Sequence, residues 1–115
     1  MIMINKDKKV ERKVGPQESA RMVEVLVGCK WSLTVYQLLA AGINRPGEMV
    51  RKTHGLTTKV LNQCLKKNVE FGVLKKQSFA EIPPRVEYEV TELGEQFLSI
   101  LNALEQLQQQ INQAQ

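Results

Sequence analysis

The stretch that decides the fold is Ile82-Pro83-Pro84-Arg85-Val86-Glu87-Tyr88-Glu89-Val90-Thr91-Glu92-Leu93-Gly94. Two consecutive prolines are excluded from a strand interior and are typical of a stiff loop tip. After Arg85, apolar and acidic side chains alternate, which is the period of a strand with one buried face. Thr91 is a favoured N-cap residue, so a helix is expected to begin directly after the strand. The stretch therefore predicts a turn, a strand and the start of a helix.

The residues before the proline turn supply a second strand. Val73-Leu74-Lys75-Lys76-Gln77-Ser78-Phe79 leads into the turn and is expected to pair with the strand that follows it. Residues 73–90 therefore predict a β-hairpin. Its first strand is basic, because it carries Lys75 and Lys76, and Arg85 lies at its tip.

Composition limits the class of protein. The chain has 115 residues, of which 43% are hydrophobic and 5% aromatic, as expected for one small, mainly helical domain. No apolar run is long enough to span a bilayer or to serve as a signal peptide, so we expect a cytoplasmic protein without a membrane partner. Two cysteines and one histidine provide neither a disulfide framework nor a metal site. We find no nucleophile–base pair and no phosphate loop, and we therefore expect a protein that is not an enzyme and has no cofactor.

Charge is distributed unevenly along the chain. Residues 1–85 hold all 16 Lys and Arg and seven acidic residues, a net charge of +9, whereas residues 86–115 hold five acidic residues and no base, a net charge of −5. A basic body with an acidic tail favours a polyanion as one partner and a protein helix as the other. An unevenly charged but merely solvated surface is the alternative.

The chain order predicts an arm followed by one domain. Residues 1–14 contain five basic residues and predict a flexible basic N-terminal arm, which either touches a polyanion or keeps the protein soluble. Residues 15–115 form the domain. Helices are expected at about 17–27, from Trp31 to Gly42, and from Arg45 to His54, where Pro46 suits a first helical turn and a glycine follows.

A fourth helix is predicted over 57–71, capped by its first residue and closed by Gly72. Leu61, Leu65 and Val69 give it an apolar stripe, and its other face is polar. Two short helices joined by a tight turn make a helix-turn-helix, whose second helix enters the major groove of DNA. With the hairpin behind it, the predicted fold is a winged helix-turn-helix, mainly α with a small β-hairpin wing.

The polar face of this helix has the chemistry of base reading. Asn and Gln pair bidentately with adenine, Lys reaches guanine acceptors or phosphates, and a helix N-terminus attracts phosphate. The predicted DNA-binding residues are Thr57, Thr58, Lys59, Asn62, Gln63, Lys66, Lys75, Lys76 and Arg85. An ordinary solvated helix is the alternative for the first six of these. For Arg85 the alternative is an ion pair with Glu81 or Glu87 that orders the hairpin.

The last helix, expected at about 91–112, carries an apolar heptad stripe with spacings of 4, 3, 4, 3 and 4 residues. Its members are Leu93, Phe97, Ile100, Leu104, Leu107 and Ile111. The stripe either lies on the core of its own domain or pairs with the same helix of a second subunit. The length of the helix favours a homodimer, which would place two recognition helices on a pseudo-palindromic site in double-stranded DNA.

The sequence resembles the HxlR-type winged-helix transcriptional regulators, relatives of the MarR group, over roughly Met22 to Leu104. The most specific match is the Pro-Pro-Arg-Val-Glu-Tyr-x-x-Thr-x-x-Gly run at 83–94. Two further matches carry the resemblance: Gly28, Lys30 and Trp31, and then Lys59, Leu61, Gln63, Leu65 and Gly72. The resemblance implies a homodimeric DNA-binding regulator with the fourth helix in the major groove and the wing beside it.

The sequence also departs from the family pattern. Asn68 stands where a leucine is typical, so Val69 is expected to take over its packing. Several redox-responsive relatives carry a cysteine near the start of the first helix, where this chain reads Gln17-Glu18-Ser19. Cys29, beside a lysine, is the remaining candidate for a redox-responsive thiol, with a structural role as the alternative; Cys64 is expected to be packed.

A protein–protein adaptor that keeps the winged-helix frame is the competing function class. The basic recognition face and wing favour a sequence-specific regulator that binds double-stranded DNA. The sequence identifies neither a small-molecule effector nor the operator.

Overall fold

A row of four helices, a two-stranded hairpin and a long final helix make up the described part of the chain. The structure, a computed structural model, describes residues 18–114. The basic arm predicted for residues 1–14 lies outside this range, as does the predicted helix start at Gln17. The elements in chain order are α1 (Glu18–Gly28), α2 (Ser32–Ala40), α3 (Pro46–Lys52), α4 (Thr58–Glu70), β1 (Leu74–Phe79), β2 (Arg85–Val90) and α5 (Glu92–Gln113). This order confirms the predicted winged helix-turn-helix.

Local signals in the sequence set the ends of the helices. The Thr57 hydroxyl accepts the N–H of Val60 at 3.2 Å and caps α4, and the Thr91 hydroxyl accepts the N–H of Gly94 at 2.9 Å and caps α5. Gly72, two residues after the end of α4, has a φ of 79°, a conformation that a side chain disfavours. The boundaries of α4 and the start of α5 therefore follow from the sequence.

The wing is one antiparallel hairpin. Its register pairs Leu74 with Val90 at the base and Phe79 with Arg85 near the tip. Tyr88 is buried on the inner face, as the alternation of apolar and acidic residues predicts. Its backbone N–H donates to the carbonyl of Asn44 at 2.9 Å, so the hairpin is fastened to the segment that enters α3.

The core lies between the helices and the inner face of the wing. Leu26, Val35, Met49 and Leu61 are fully buried there. Phe97 of α5 joins them, because its ring meets that of Tyr36 edge-on with centroids 6.3 Å apart. Phe97 therefore belongs to the core of its own domain and lies apart from the exposed stripe with which its spacing grouped it.

The inner face of α4 differs from the expectation at one turn. Val69 was expected to pack in place of a leucine, but 36% of its surface is exposed, whereas Asn68 is fully buried. Asn68 tolerates burial because its amide N–H donates to the Cys64 carbonyl at 2.9 Å and its amide oxygen accepts the Tyr36 hydroxyl. Hydrogen-bonding partners from another helix thus decide which residue points inward.

One junction holds the start of α5 against the rest of the domain. The Thr91 hydroxyl donates to the Gly72 carbonyl at 2.5 Å, and the Thr91 backbone N–H donates to the Val73 carbonyl at 3.0 Å. Beyond Leu101, every described residue of α5 is exposed. Neither α5 nor another helix within residues 18–114 has the length and apolarity needed to cross a membrane.

Replacing Gly94 by alanine tests this junction. The new Cβ would lie 2.1 Å from the Val73 carbonyl oxygen and 2.7 Å from a methyl group of Val90, so backbone must move. We expect the free energy of unfolding in urea to fall by about 2–3 kcal/mol, as for other overpacked sites. The matched control is Gly47→Ala, where the nearest atom is the flexible end of Arg51 at 3.5 Å and little change is expected. Equal stability of the two variants would contradict the close packing at Gly94.

Candidate nucleic-acid interface

The helix-turn-helix presents one polar face. The core residues Leu61, Cys64 and Leu65 hold the inner side of α4, which leaves the opposite side in solvent. All six residues predicted on this helix are exposed: Thr57, Thr58, Lys59, Asn62, Gln63 and Lys66. They share one surface, which we call the α4 face. Two lysines and the N-terminal amide groups give it a positive potential.

The basic strand of the wing carries two lysines, which differ in whether a carboxylate lies close to the ammonium group. Lys75 forms an ion pair with Glu89, its cross-strand neighbour, with 2.5 Å between Nζ and Oε1. Lys76 is exposed, and no carboxylate of residues 18–114 lies within 4.0 Å of its ammonium group. Because a paired charge must first release its partner, Lys76 is the more available cation of the two.

Arg85 points back onto the hairpin. Its guanidinium lies 3.3 Å from a carboxylate oxygen of Glu81 and 3.6 Å from one of Glu87. The same group lies over the ring of Phe79, 4.0 Å from the centroid, and the side chain is 28% exposed. These contacts favour the alternative in which Arg85 orders the wing over a role as an outward-facing DNA contact.

Three residues near the wing were missed by the sequence reasoning. The Nη2 atom of Arg45 lies 3.7 Å from the Oε1 atom of Glu87. Arg45 and Arg51 also line an open cleft of about 500 Å³ between α3 and the wing. Ile82, at the tip, is 102% exposed and is therefore a free apolar contact. A signal for Ile82 was available, because a lone isoleucine next to two prolines falls outside the strand alternation. The two arginines carried no pattern that distinguished them from ordinary surface residues.

A buried polar cluster lies beneath α4. The Ser32 hydroxyl and the Cys64 sulfur are 3.4 Å apart, and Asn68 links Cys64 to Tyr36. Burial raises the pKa of Tyr36 to about 12, so its hydroxyl keeps the proton that it donates to Asn68. Cys29, at the joint between α1 and α2, is partly exposed, and its carbonyl accepts the backbone N–H of Ser32 at 3.1 Å. The cluster therefore joins α2 to α4.

Apart from Phe97, the apolar stripe of α5 is exposed. Five members have exposed fractions of about half: Leu93 at 49%, Ile100 at 60%, Leu104 at 55%, Leu107 at 54% and Ile111 at 52%. Large apolar side chains in a contiguous exposed row mark an interaction surface.

Within residues 18–114, no three His, Cys, Asp or Glu side chains come together in a way that could hold a metal ion.

Comparisons of sequence and of structure with known proteins both lead to related regulatory proteins. A family model described as HxlR-like helix-turn-helix matches residues 26–115. MalR of Fusobacterium mortiferum, named for a regulatory role, is 34% identical over 83% of this chain and 91% of its own length. YkvN of Bacillus subtilis, named as an HTH-type transcriptional regulator, is 36% identical over 69% of this chain and 67% of its own. A crystal structure from Enterococcus faecalis, assigned to the MarR family of transcriptional regulators, superposes with a TM-score of 0.72 and 28% identity over 90% of this chain and 96% of that one.

Replacing Arg85 by alanine separates its two possible roles. The variant loses both carboxylate contacts and the stacking on Phe79, so we expect a loss of about 1 kcal/mol in the free energy of unfolding. Lys76→Ala is the matched control, with unchanged stability because its side chain is exposed and unpaired within the described residues. A stable Arg85→Ala variant that binds DNA more weakly would instead assign Arg85 to the DNA contact.

Proposed function

Because the chain belongs to the HxlR-like helix-turn-helix family of transcriptional regulators, we propose that it reads a specific DNA operator as a homodimer. In this proposal the α4 face enters the major groove and the wing lies along the flanking DNA. The observation that carries it is the α4 face itself. The helix is anchored by buried residues on one side while every predicted contact residue on the other side remains in solvent.

The side chains on the α4 face are suited to two kinds of contact. Asn62 and Gln63 have the paired donor and acceptor that match an adenine edge. Lys59 and Lys66 supply phosphate contacts that hold the helix in register without reading sequence. Base reading and backbone anchoring would therefore come from different residues of one helix, so variants can separate them.

The wing is proposed to add backbone and minor-groove contacts. Lys76 is its available cation, and Ile82 is an exposed apolar side chain at a proline-stiffened tip. Apolar wedges of this kind contact the minor groove in other DNA-binding proteins. Arg85, whose guanidinium contacts the carboxylates of Glu81 and Glu87, would hold the tip in position.

Dimerisation is proposed through the exposed stripe of α5. The helix spans 22 residues, about 33 Å, and its second half extends past the domain core. Pairing this half with the same helix of a second copy would remove the exposed apolar row from water and create a two-fold axis. Two α4 helices related by such an axis would address half-sites about one DNA turn apart.

The protein–protein adaptor remains the competing function, and salt dependence distinguishes the two. We expect affinity for the DNA upstream of the protein's own gene to fall steeply as salt rises, because phosphate contacts release bound cations. A footprint on that DNA should be pseudo-palindromic. Binding that is weak, independent of salt and equal on unrelated DNA would favour the adaptor.

Alanine at Gln63 or Asn62 tests base reading. Each variant should lose about 1–3 kcal/mol of binding free energy on the footprinted site and little on random DNA. Lys66→Ala is the matched control: it should weaken binding to both DNAs and reduce the salt slope by about one. Fluorescence anisotropy at several salt concentrations measures both quantities. Equal losses on both DNAs for Gln63→Ala would mean that the residue contacts only the backbone.

Introducing charge into the exposed apolar stripe of α5 tests the proposed dimer. Leu104 and Leu107 are 55% and 54% exposed in one chain, so their replacement by glutamate leaves the domain core intact. The double variant should sediment as a monomer and lose operator binding, because buried unpaired charges oppose association and one chain makes too few phosphate contacts. Gln109→Glu, on the opposite side of α5, controls for the added charge. A wild-type monomer at micromolar concentration with full operator affinity would exclude this model.

A further inference from the structure

The open cleft between α3 and the wing has arginines on both of its walls. Its volume of about 500 Å³ is typical of a site for a small ligand or for one group of a larger one. Arg45, Gly47 and Arg51 line the cleft on the α3 side. Arg85 lines it on the wing side, beside the two prolines of the tip. Guanidinium groups therefore border the same space from two different elements of the fold.

The arginines of the cleft have more donors than the nearby carboxylates accept. One oxygen of Glu87, Oε1, lies 3.7 Å from Nη2 of Arg45 and 3.6 Å from Nε of Arg85. Both distances exceed the roughly 2.7–2.9 Å of a charge-assisted hydrogen bond. The Nε of Arg85 is also buried, and it has no hydrogen-bond partner among residues 18–114. Because a guanidinium donates from every nitrogen, an oxyanion with several acceptor oxygens would complete these contacts.

Arg51 is the most available of the three cations. Its side chain is exposed, and within residues 18–114 no carboxylate oxygen lies within 4.0 Å of its guanidinium. Its Nη1 atom lies 3.5 Å from the point that a Cβ on Gly47 would occupy, so the guanidinium folds back over the first turn of α3. Glu48 and Glu81 also line the cleft, but three arginines against two glutamates leave its charge positive. The cleft is therefore suited to an anion.

We propose that the cleft between α3 and the wing binds a phosphate group, held by Arg45 and Arg51 with Arg85 on the opposite wall. A guanidinium matches phosphate through paired N–H groups. A tetrahedral phosphate has oxygens that point in several directions, so it can meet arginines on both walls at once. A carboxylate has only two oxygens in one plane and matches one fork at a time. The arrangement of the arginines therefore favours phosphate.

Two sources can supply this chemistry. The first is a phosphodiester of DNA, because the proposed function lays the wing along flanking DNA and so brings backbone phosphates to the cleft beside its tip. The second is a free phosphorylated small molecule. Only the first source rests on the proposed function.

Occupation of the cleft would also act on the wing. A phosphate in contact with Arg45 competes with Glu87 for the same guanidinium, and this ion pair joins the start of α3 to β2. The hydrogen bond from the Tyr88 backbone N–H to the Asn44 carbonyl would remain. The position of the wing relative to the helix-turn-helix is therefore coupled to the bound phosphate.

The first measurement uses inorganic phosphate as the probe. In NMR spectra of the ¹⁵N-labelled intact chain, the Nε–H signals of Arg45 and Arg51 should shift together and saturate as phosphate is added. Sodium chloride at the same ionic strength should leave them in place. Arg51→Gln should raise the dissociation constant about tenfold, because it removes one charged hydrogen bond. Lys52→Gln is the matched control. It removes the same charge from the next residue of α3, whose exposed side chain does not line the cleft, and should leave the constant unchanged.

The second measurement replaces single backbone phosphates of the footprinted DNA by neutral methylphosphonates. If a backbone phosphate occupies the cleft, one position in each half-site should cost the wild type about tenfold in affinity. The same position should cost Arg51→Gln little, because the partner of that phosphate has already been removed. Lys52→Gln should show the full loss there.

The outcomes separate the two sources. Saturable phosphate binding that depends on Arg51, without coupling to any DNA phosphate, would assign the cleft to a free phosphorylated ligand. Coupling of Arg51 to one DNA phosphate would assign it to the backbone. Shifts that Arg51→Gln and Lys52→Gln reduce equally, together with no such coupling, would overturn the site. A chain without specific DNA binding would overturn the proposed function instead, and the phosphate titration would still decide whether the cleft binds phosphate.

Discussion

The hydroxyl of Thr91 is the contact on which the arrangement of the domain depends. It donates to the Gly72 carbonyl at the end of α4 and accepts the N–H of Gly94 in the first turn of α5. The backbone N–H of the same residue donates to the Val73 carbonyl, where β1 is about to begin. One residue therefore ties the recognition helix, the wing and the long helix together. Gly94 is required because a side chain there would occupy the place of the Val73 carbonyl.

Much of the fold was predictable because its signals are local. The N-caps Thr57 and Thr91, the alternation in β2 and the proline turn each depend on neighbours within a few residues, and all are confirmed. Phe97 and Asn68 were not predictable in this way. Their burial depends on Tyr36, which lies more than 30 residues away in sequence and approaches only after the helices pack.

In the candidate site, too, the local features could be predicted from the sequence and the long-range contacts could not. Helical spacing alone predicted which residues of α4 share its outer face, because one buried stripe determines the opposite one. The state of each wing cation depends instead on cross-strand register and on α3. Arg85 meets Glu81, Glu87 and the ring of Phe79, so a positive charge that the sequence counts as available is largely neutralised within the hairpin. Net charge therefore overstates the basic surface of the wing, and a larger share of any polyanion contact falls to α4.

The recognition helix is held from two sides by different kinds of contact. At its C-terminal end, the Thr91 junction joins it to α5. In the proposed dimer, the spacing of the two α4 helices would therefore be set by how the two α5 helices pair. On its inner face, Asn68 and Cys64 hold it to α2 through hydrogen bonds. The first link is made largely by backbone groups, which carry no titratable or oxidisable atom. The second is made by buried polar side chains of α2 and α4, so it forms only once those two helices have packed against each other.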